Sequence, residues 1–175
     1  MTRSPWLAGL FAAAALFACR AEPAANASQS GQNRLATTQV PAVEAPRTSP
    51  FGLDIVPLEI LSASGTHRFN VEVARTPDQQ SQGLMFRNSL AADMGMIFPF
   101  PQPRMASFWM RNTLIPLDMI FIRADGTIAR IAANTVPGSE ESVLSGEPVA
   151  AVLEIRGGRA AELGIREGDR VSWQG

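Results

Sequence analysis

The chain has no lysine and no tyrosine, one cysteine and one histidine among its 175 residues. All 15 basic residues are therefore Arg, and 16 acidic residues bring the formal net charge to -1. They form no basic run that could track a phosphate backbone, so nucleic acid is not expected as a partner. A single cysteine, Cys19, allows neither a disulfide framework nor a thiolate metal site. The one histidine, His67, opens a strand near the domain start and reads as an exposed strand histidine. A nucleophile–histidine arrangement would have to use it, yet the chain has no G-x-S-x-G elbow. Histidine metal sites draw on several ligands, and no close D-x-D-x-D calcium loop, glycine-rich phosphate fingerprint or internal repeat is present. From these absences no metal and no cofactor is expected, and no catalytic residue is assigned.

What is present begins with an export signature. Residues 1–18 read as a signal peptide: Arg3 supplies the positive n-region, and "WLAGLFAAAALF" an apolar stretch too short for a comfortable membrane span. It ends in "LFAC", similar to a bacterial lipobox in which Cys19 becomes the lipidated first residue, although Phe17 departs from the usual pattern. The alternative is ordinary cleavage at "ANA", after Ala27. Residues 19–50 are rich in Ala, Pro, Ser, Gln and Thr, lack aromatics and show no sustained period, which reads as a flexible tether. The expectation is an exported, periplasmic protein joined to a membrane by a lipid anchor, or otherwise secreted freely into the periplasm.

Residues 51–175 carry the folded domain; the whole chain's hydrophobic content of 46% with 18% charge suits a globular protein. "PLEIL" and "HRFNVEVA" alternate as a hairpin around "SASGT". "TPDQQSQGL" opens a short helix, with Thr76 as N-cap, Pro77 in the first turn, Gln79 in the capping-box place and Gly83 as the stop. "GMIFPF" reads as a brief strand ended by Pro99, "ASFWMR" and "LDMIFIRA" as strands separated by Pro116, and "ADGT" as a turn into "TIARIAA". "NTVPGSEESVLSGEP" reads as a long polar loop. "VAAVLEI" is a strand apolar on both faces, "GGRAAELGI" a helix ended by Gly164, and "REGDRVSW" a last strand. The expected fold is a compact, mostly β (α+β) domain of about seven short strands with two short helices, closed or partly closed as a barrel.

Polar residues interrupt the apolar stretch "SFWMRNTLIPLDMIF". Alternation puts Asp118 on one face with Ile120 and Ile122, so both faces look apolar and its carboxylate needs a partner. Arg111, placed on a face with Ser107 and Trp109, could reach it, helped by Asn112 and Thr113. Two readings stay open: a polar latch between core strands, or a patch at a pocket mouth walled by Trp109. Arg87 could clamp an anionic ligand or pair with Asp93 or Asp118. Among the other carboxylates, Glu140 and Glu141 sit in a solvated loop, and Glu154 lies in the apolar strand. The methionines from Met85 to Met110 read as core filler.

Three segments, "GLMFRNSLAADMGMIFPFPQP", "SFWMRNTLIPLDMIFI" with the following "DG", and "VLEIRGG" continuing to "ELGIREGDRV", resemble the domain of unknown function 192 family over about Thr66 to Trp173. Arg111 stands where Lys is usual; Arg123 replaces a common acidic residue, and "SVLS" lacks an aromatic often found in that loop. The resemblance implies a compact β-rich domain, often exported, without an established reaction or ligand. The function expected is that of a membrane-tethered binding or accessory domain for a polar small molecule or a cell-envelope component, with Arg87, Trp109, Arg111, Asn112, Thr113 and Asp118 as candidate ligand-binding residues. The alternatives are an enzyme using Asp118 with Arg assistance, and a structural interaction domain.

Overall fold

A computed structural model describes residues 47–174. The stretches expected to be a signal peptide and a tether, Cys19 included, lie outside the described residues apart from residues 47–50. The first described strand starts at Arg47, slightly before the compositional change at Phe51. Strand β1 (Arg47–Thr48) pairs with the start of β2, and the buried Ser49 hydroxyl accepts from the Phe51 and Leu53 amides.

Strands β2 (Asp54–Ser62) and β3 (Gly65–Val73) form the expected hairpin, with Ser62 opposite Gly65. Helix α1 (Pro77–Gln82) follows, with Thr76 and Gln79 completing a reciprocal capping box. It carries the chain across to β4 (Met94–Phe108), which runs parallel to β3. Next come β5 (Leu117–Ile122) and β6 (Ile128–Thr135), joined by a tight turn in which Gly126 takes φ 83°. Strand β7 (Val143–Arg156) then inserts between β4 and β5, antiparallel to both. Helix α2 (Arg159–Leu163) and β8 (Arg170–Trp173) end the domain.

The sheet order is β1-β2-β3-β4-β7-β5-β6, with β8 pairing β2 beside β1 on the edge opposite β3. The bend is strong enough for β8 to reach the β5–β6 turn: Thr127 bridges Arg170, and the Val171 amide donates to the Gly126 carbonyl at 2.8 Å. The result is a half-barrel of eight strands, close to the expected seven or so: "GMIFPF" and most of "ASFWMR", read as separate strands, are one strand, and the two-residue β1 is added.

Two strands outrun their sequence reading. β4 does not end at Pro99; it continues through "PQPR" by shifting register against β7 between Pro99 and Arg104, and again between Met105 and Ser107. Proline is tolerated at such irregularities because no ladder amide is needed there. The buried Ser145 hydroxyl repairs the second shift, accepting from the Ala106 amide at 3.0 Å and donating to the Glu147 carbonyl at 2.7 Å. β7 correspondingly starts at Val143, inside the stretch read as polar loop.

Each face of the sheet has its own core. Inside the half-barrel, Ile60, Val71, Ile97, Ile120, Leu153 and Val171 pack together, with Ala160 of α2 closing one end. On the outer face, Leu84, Met96, Phe98, Met119, Phe121 and Val152 form a second cluster. Gly95 allows β4 and β7 to approach: a Cβ there would lie 2.7 Å from the Glu154 carbonyl oxygen.

Candidate functional site

Four buried or nearly buried charged groups lie on or against the sheet, and they meet three different fates. Asp118 projects to the inner face, as alternation requires, and is fully buried. Its Oδ1 accepts from the Asn134 amide at 2.8 Å and the Gly158 amide at 2.9 Å, and its Oδ2 from the Ala160 amide at 2.9 Å. Gly158 is the N-cap of α2 and has no side chain to cap with, so a carboxylate from β5 does the capping across 40 residues of sequence. Gly157 permits the close approach, since a Cβ there would meet Pro116 Cβ at 2.8 Å. Asp118 is thus a latch held by backbone amides, and neither Arg111 nor Asn112 is among its partners.

Arg87 and Glu72 satisfy each other on the outer face. The guanidinium grips the carboxylate with two N–H groups, Nη1 donating to Oε1 at 2.9 Å and Nη2 to Oε2. Their side chains are 11% and 3% exposed, and the Phe51 ring lies 3.9 Å from the guanidinium carbon. Such forks are the strong form of ion pair, and they leave little of Arg87 for a ligand.

Glu154 differs. It sits mid-strand in β7, opposite Met96 of β4 and Met119 of β5, and is 4% exposed. Among the described residues its carboxyl has no hydrogen-bonding or ionic partner. Burial alone pushes its pKa from 4.5 up to about 8, because nothing nearby stabilises the charged form. No sealed side-chain oxygen or nitrogen among the described residues lacks a partner, so this carboxyl must open onto space.

That space is a cleft of about 380 Å³. One wall is α1 with the turn after it, contributing Gln80, Gln82 and Met85; the opposite wall is the outer half of β4, with Arg104, Ser107 and Phe108. Phe98, Trp109 and Thr113 also line it. Phe98 and Phe108 meet edge to face with centroids 5.1 Å apart. Gln80 fixes the first wall, its Nε2 donating to the Ala74 and Pro99 carbonyls, both at 3.1 Å. The two walls are tied at the rim by the Phe86 amide, which donates to the Asn112 carbonyl at 2.9 Å. Both of those residues hold positive φ, 63° and 57°, and for a bulky exposed Phe that is a strained conformation.

Of the residues singled out from sequence, Trp109 and Thr113 line the cleft, while Arg111 and Asn112 lie in the adjoining loop. The strand ends at Phe108, so alternation does not reach Arg111, which is exposed, stands 3.9 Å from Glu140 and lies 5.5 Å from the Trp109 centroid. Arg87 and Asp118 are engaged elsewhere. Glu154 is one of the candidate carboxylates in the sequence and a Phe beside Trp109 a candidate wall, but the sequence alone does not join them, and nothing in it marks Arg104 or Phe98 as lining the same cleft. The available signal was that Glu154 is the one charge in "VAAVLEI", a run apolar on both faces. His67 is half-buried and hydrogen-bonds the Ser62 and Ser64 hydroxyls at 3.0 Å. No cluster of three metal-binding side chains occurs among the described residues.

A family model described as Uncharacterized ACR, DUF192, matches residues 59–173. The chain is 51% identical to a crystal structure of a protein of unknown function from Novosphingobium aromaticivorans DSM 12444, with a TM-score of 0.73 over 75% of this chain and 94% of that one. It is 46% identical to a protein from Sinorhizobium meliloti 1021 described as a proposed transcription regulator, with a TM-score of 0.67 over 69% of this chain and 95% of that one. No curated protein matches the chain.

Proposed function

Because the chain belongs to DUF192, a family described only as uncharacterised, we propose from the cleft itself that the domain binds a polar small molecule against Glu154. One observation carries this reading: a carboxyl more than nine-tenths buried, without a protein partner, faces a cleft of ligand size. Natural folds satisfy buried polar groups, as this one does at Asp118 and Glu72, so an exception at a cleft is the expected mark of a ligand. The apolar run ending in "LFAC", followed by the Ala- and Pro-rich stretch, supports the further proposal that Cys19 is lipidated and that the domain works on a tether outside the cytoplasm. Its ligand is then a small molecule or envelope component met there.

The test is a thermal-shift screen of polar metabolites and envelope fragments against the wild-type protein and Glu154→Gln. A ligand that raises the wild-type melting temperature and loses most of that shift in the variant is expected. A screen with no shift, or shifts indifferent to Glu154, overturns the reading. Fractionation of cells expressing wild type and Cys19→Ala tests the anchor, with loss of membrane association expected in the variant.

The elevated Glu154 pKa favours a second reading, general acid–base catalysis, since a group near 8 can exchange a proton at working pH. In that case Glu154→Gln would retain ligand affinity and lose turnover.

A further inference from the structure

The cleft has two charged side chains, Glu154 and Arg104, and three aromatic ones, Phe98, Phe108 and Trp109. The other charged groups on this face are accounted for. Glu72 and Arg87 neutralise each other, Arg130 of β6 lies 5.8 Å from the Phe121 ring centroid, and Asp78 of α1 is exposed. From β5 the outer face receives only Leu117, Met119 and Phe121. Among the described residues none, Arg104 included, acts as a counter-charge that would let Glu154 ionise: burial alone sets its protonation. Two kinds of group could complement it: a neutral hydrogen-bonding group, or a cation. The walls decide between them, because aromatic faces attract cations and a desolvated carboxylate attracts them more. Trp109 already has a cation beside it, the Arg111 guanidinium carbon 5.5 Å from its centroid. Arg104, whose guanidinium carbon lies 4.0 Å from the Phe100 centroid, is the cationic residue that lines the cleft among the described residues, and it suits an anionic group at the other end of the ligand.

Resting on the reading of this cleft as a binding site, we infer that its ligand is a small zwitterionic amine, with an organic ammonium seated against Glu154 among the aromatic walls and an acidic group directed to Arg104. The proton balance follows. The ammonium keeps its own proton, Glu154 gives up the proton it holds at neutral pH, and that proton passes to solvent. Such chemistry occurs both in free amino acids and amino-alcohol phosphates and in lipid headgroups that carry an ammonium and a phosphate.

The experiment is calorimetric titration of the full chain at pH 7 in two buffers of different ionisation enthalpy. The probes are O-phosphoethanolamine, glycine, tetramethylammonium, which has no proton to lose, and glycerol 3-phosphate, which has the anion without the ammonium. The ammonium probes are expected to bind with release of close to one proton, and to tighten about tenfold from pH 6 to pH 7 as Glu154 becomes easier to ionise. Glu154→Gln is expected to weaken them at least about tenfold, since it removes a buried charge partner. Vesicles of phosphatidylethanolamine against phosphatidylglycerol separate the sources: retention on the former alone assigns the lipid headgroup, and binding of soluble probes alone assigns the free molecule. Absence of ammonium binding, equal binding of glycerol 3-phosphate, or binding without proton release overturns the inference. A neutral or purely anionic ligand that still depends on Glu154 would overturn it while leaving the cleft a binding site; ammonium binding that persists in Glu154→Gln would overturn both.

Discussion

Replacing Glu154 by Gln keeps the shape of the side chain and removes its titration, which makes the unliganded protein a test of the cleft's central claim. In the unfolded chain this carboxyl loses its proton near 4.5; in the folded protein it holds it to about 8. Between those values the folded state binds the extra proton, so stability falls as pH rises, and above about 8 the difference is constant. At about 1.36 kcal/mol per pH unit, the full penalty is about 5 kcal/mol, of which about 3 kcal/mol is already present at pH 7. Glu154→Gln escapes it. Urea denaturation of both proteins at intervals from pH 4 to pH 9 measures the difference, and every other titrating group cancels in the comparison. The two should be of similar stability near pH 4, and the variant should be the more stable by several kcal/mol at pH 9. Parallel curves across the whole range would show that Glu154 ionises as readily folded as unfolded. The argument for a buried, partnerless carboxyl would then collapse.

Asp118→Asn leaves one oxygen where two accept three amides, and should cost about 2–3 kcal/mol. Hydrogen exchange should quicken at the Asn134, Gly158 and Ala160 amides, while ligand affinity in the cleft, on the other face of the sheet, stays unchanged. Arg87→Met strands the buried Glu72 carboxylate and should cost about 3–5 kcal/mol in chemical denaturation, and adding Glu72→Met should recover most of the loss.

Much of the frame was legible because short-range rules set it. The capping box at Thr76 and Gln79, the Ser62–Gly65 hairpin end and the Gly126 turn all depend on neighbours within a few residues. The alternation that gave Asp118 an inner-facing side chain was equally local. Its partners were not, because they are backbone amides from 16 to 42 positions away and no residue type announces them. The same limit hid the difference between Asp118 and Glu154. Both are single acids in apolar strands, and only the sheet order reveals that one faces the start of α2 and the other a cleft. Likewise Glu72 of β3, rather than Asp93 or Asp118, meets Arg87 because the crossover through α1 returns the chain over the outer face. The long β4 eluded the pattern since its prolines look like stops until Ser145 is seen to mend the ladder.

The position of β7 has a consequence for how the chain reaches this state. The strand that joins the two halves of the sheet, between β4 and β5, is not synthesised until residue 143. Until then the β2–β4 group and the β5–β6 hairpin have no common partner, and each core lacks the residues that β7 contributes. Such late, non-local pairing makes for slow assembly. A chain truncated before Val143 should stay expanded and protease-sensitive, and a nascent one should remain threadable until β7 has been made.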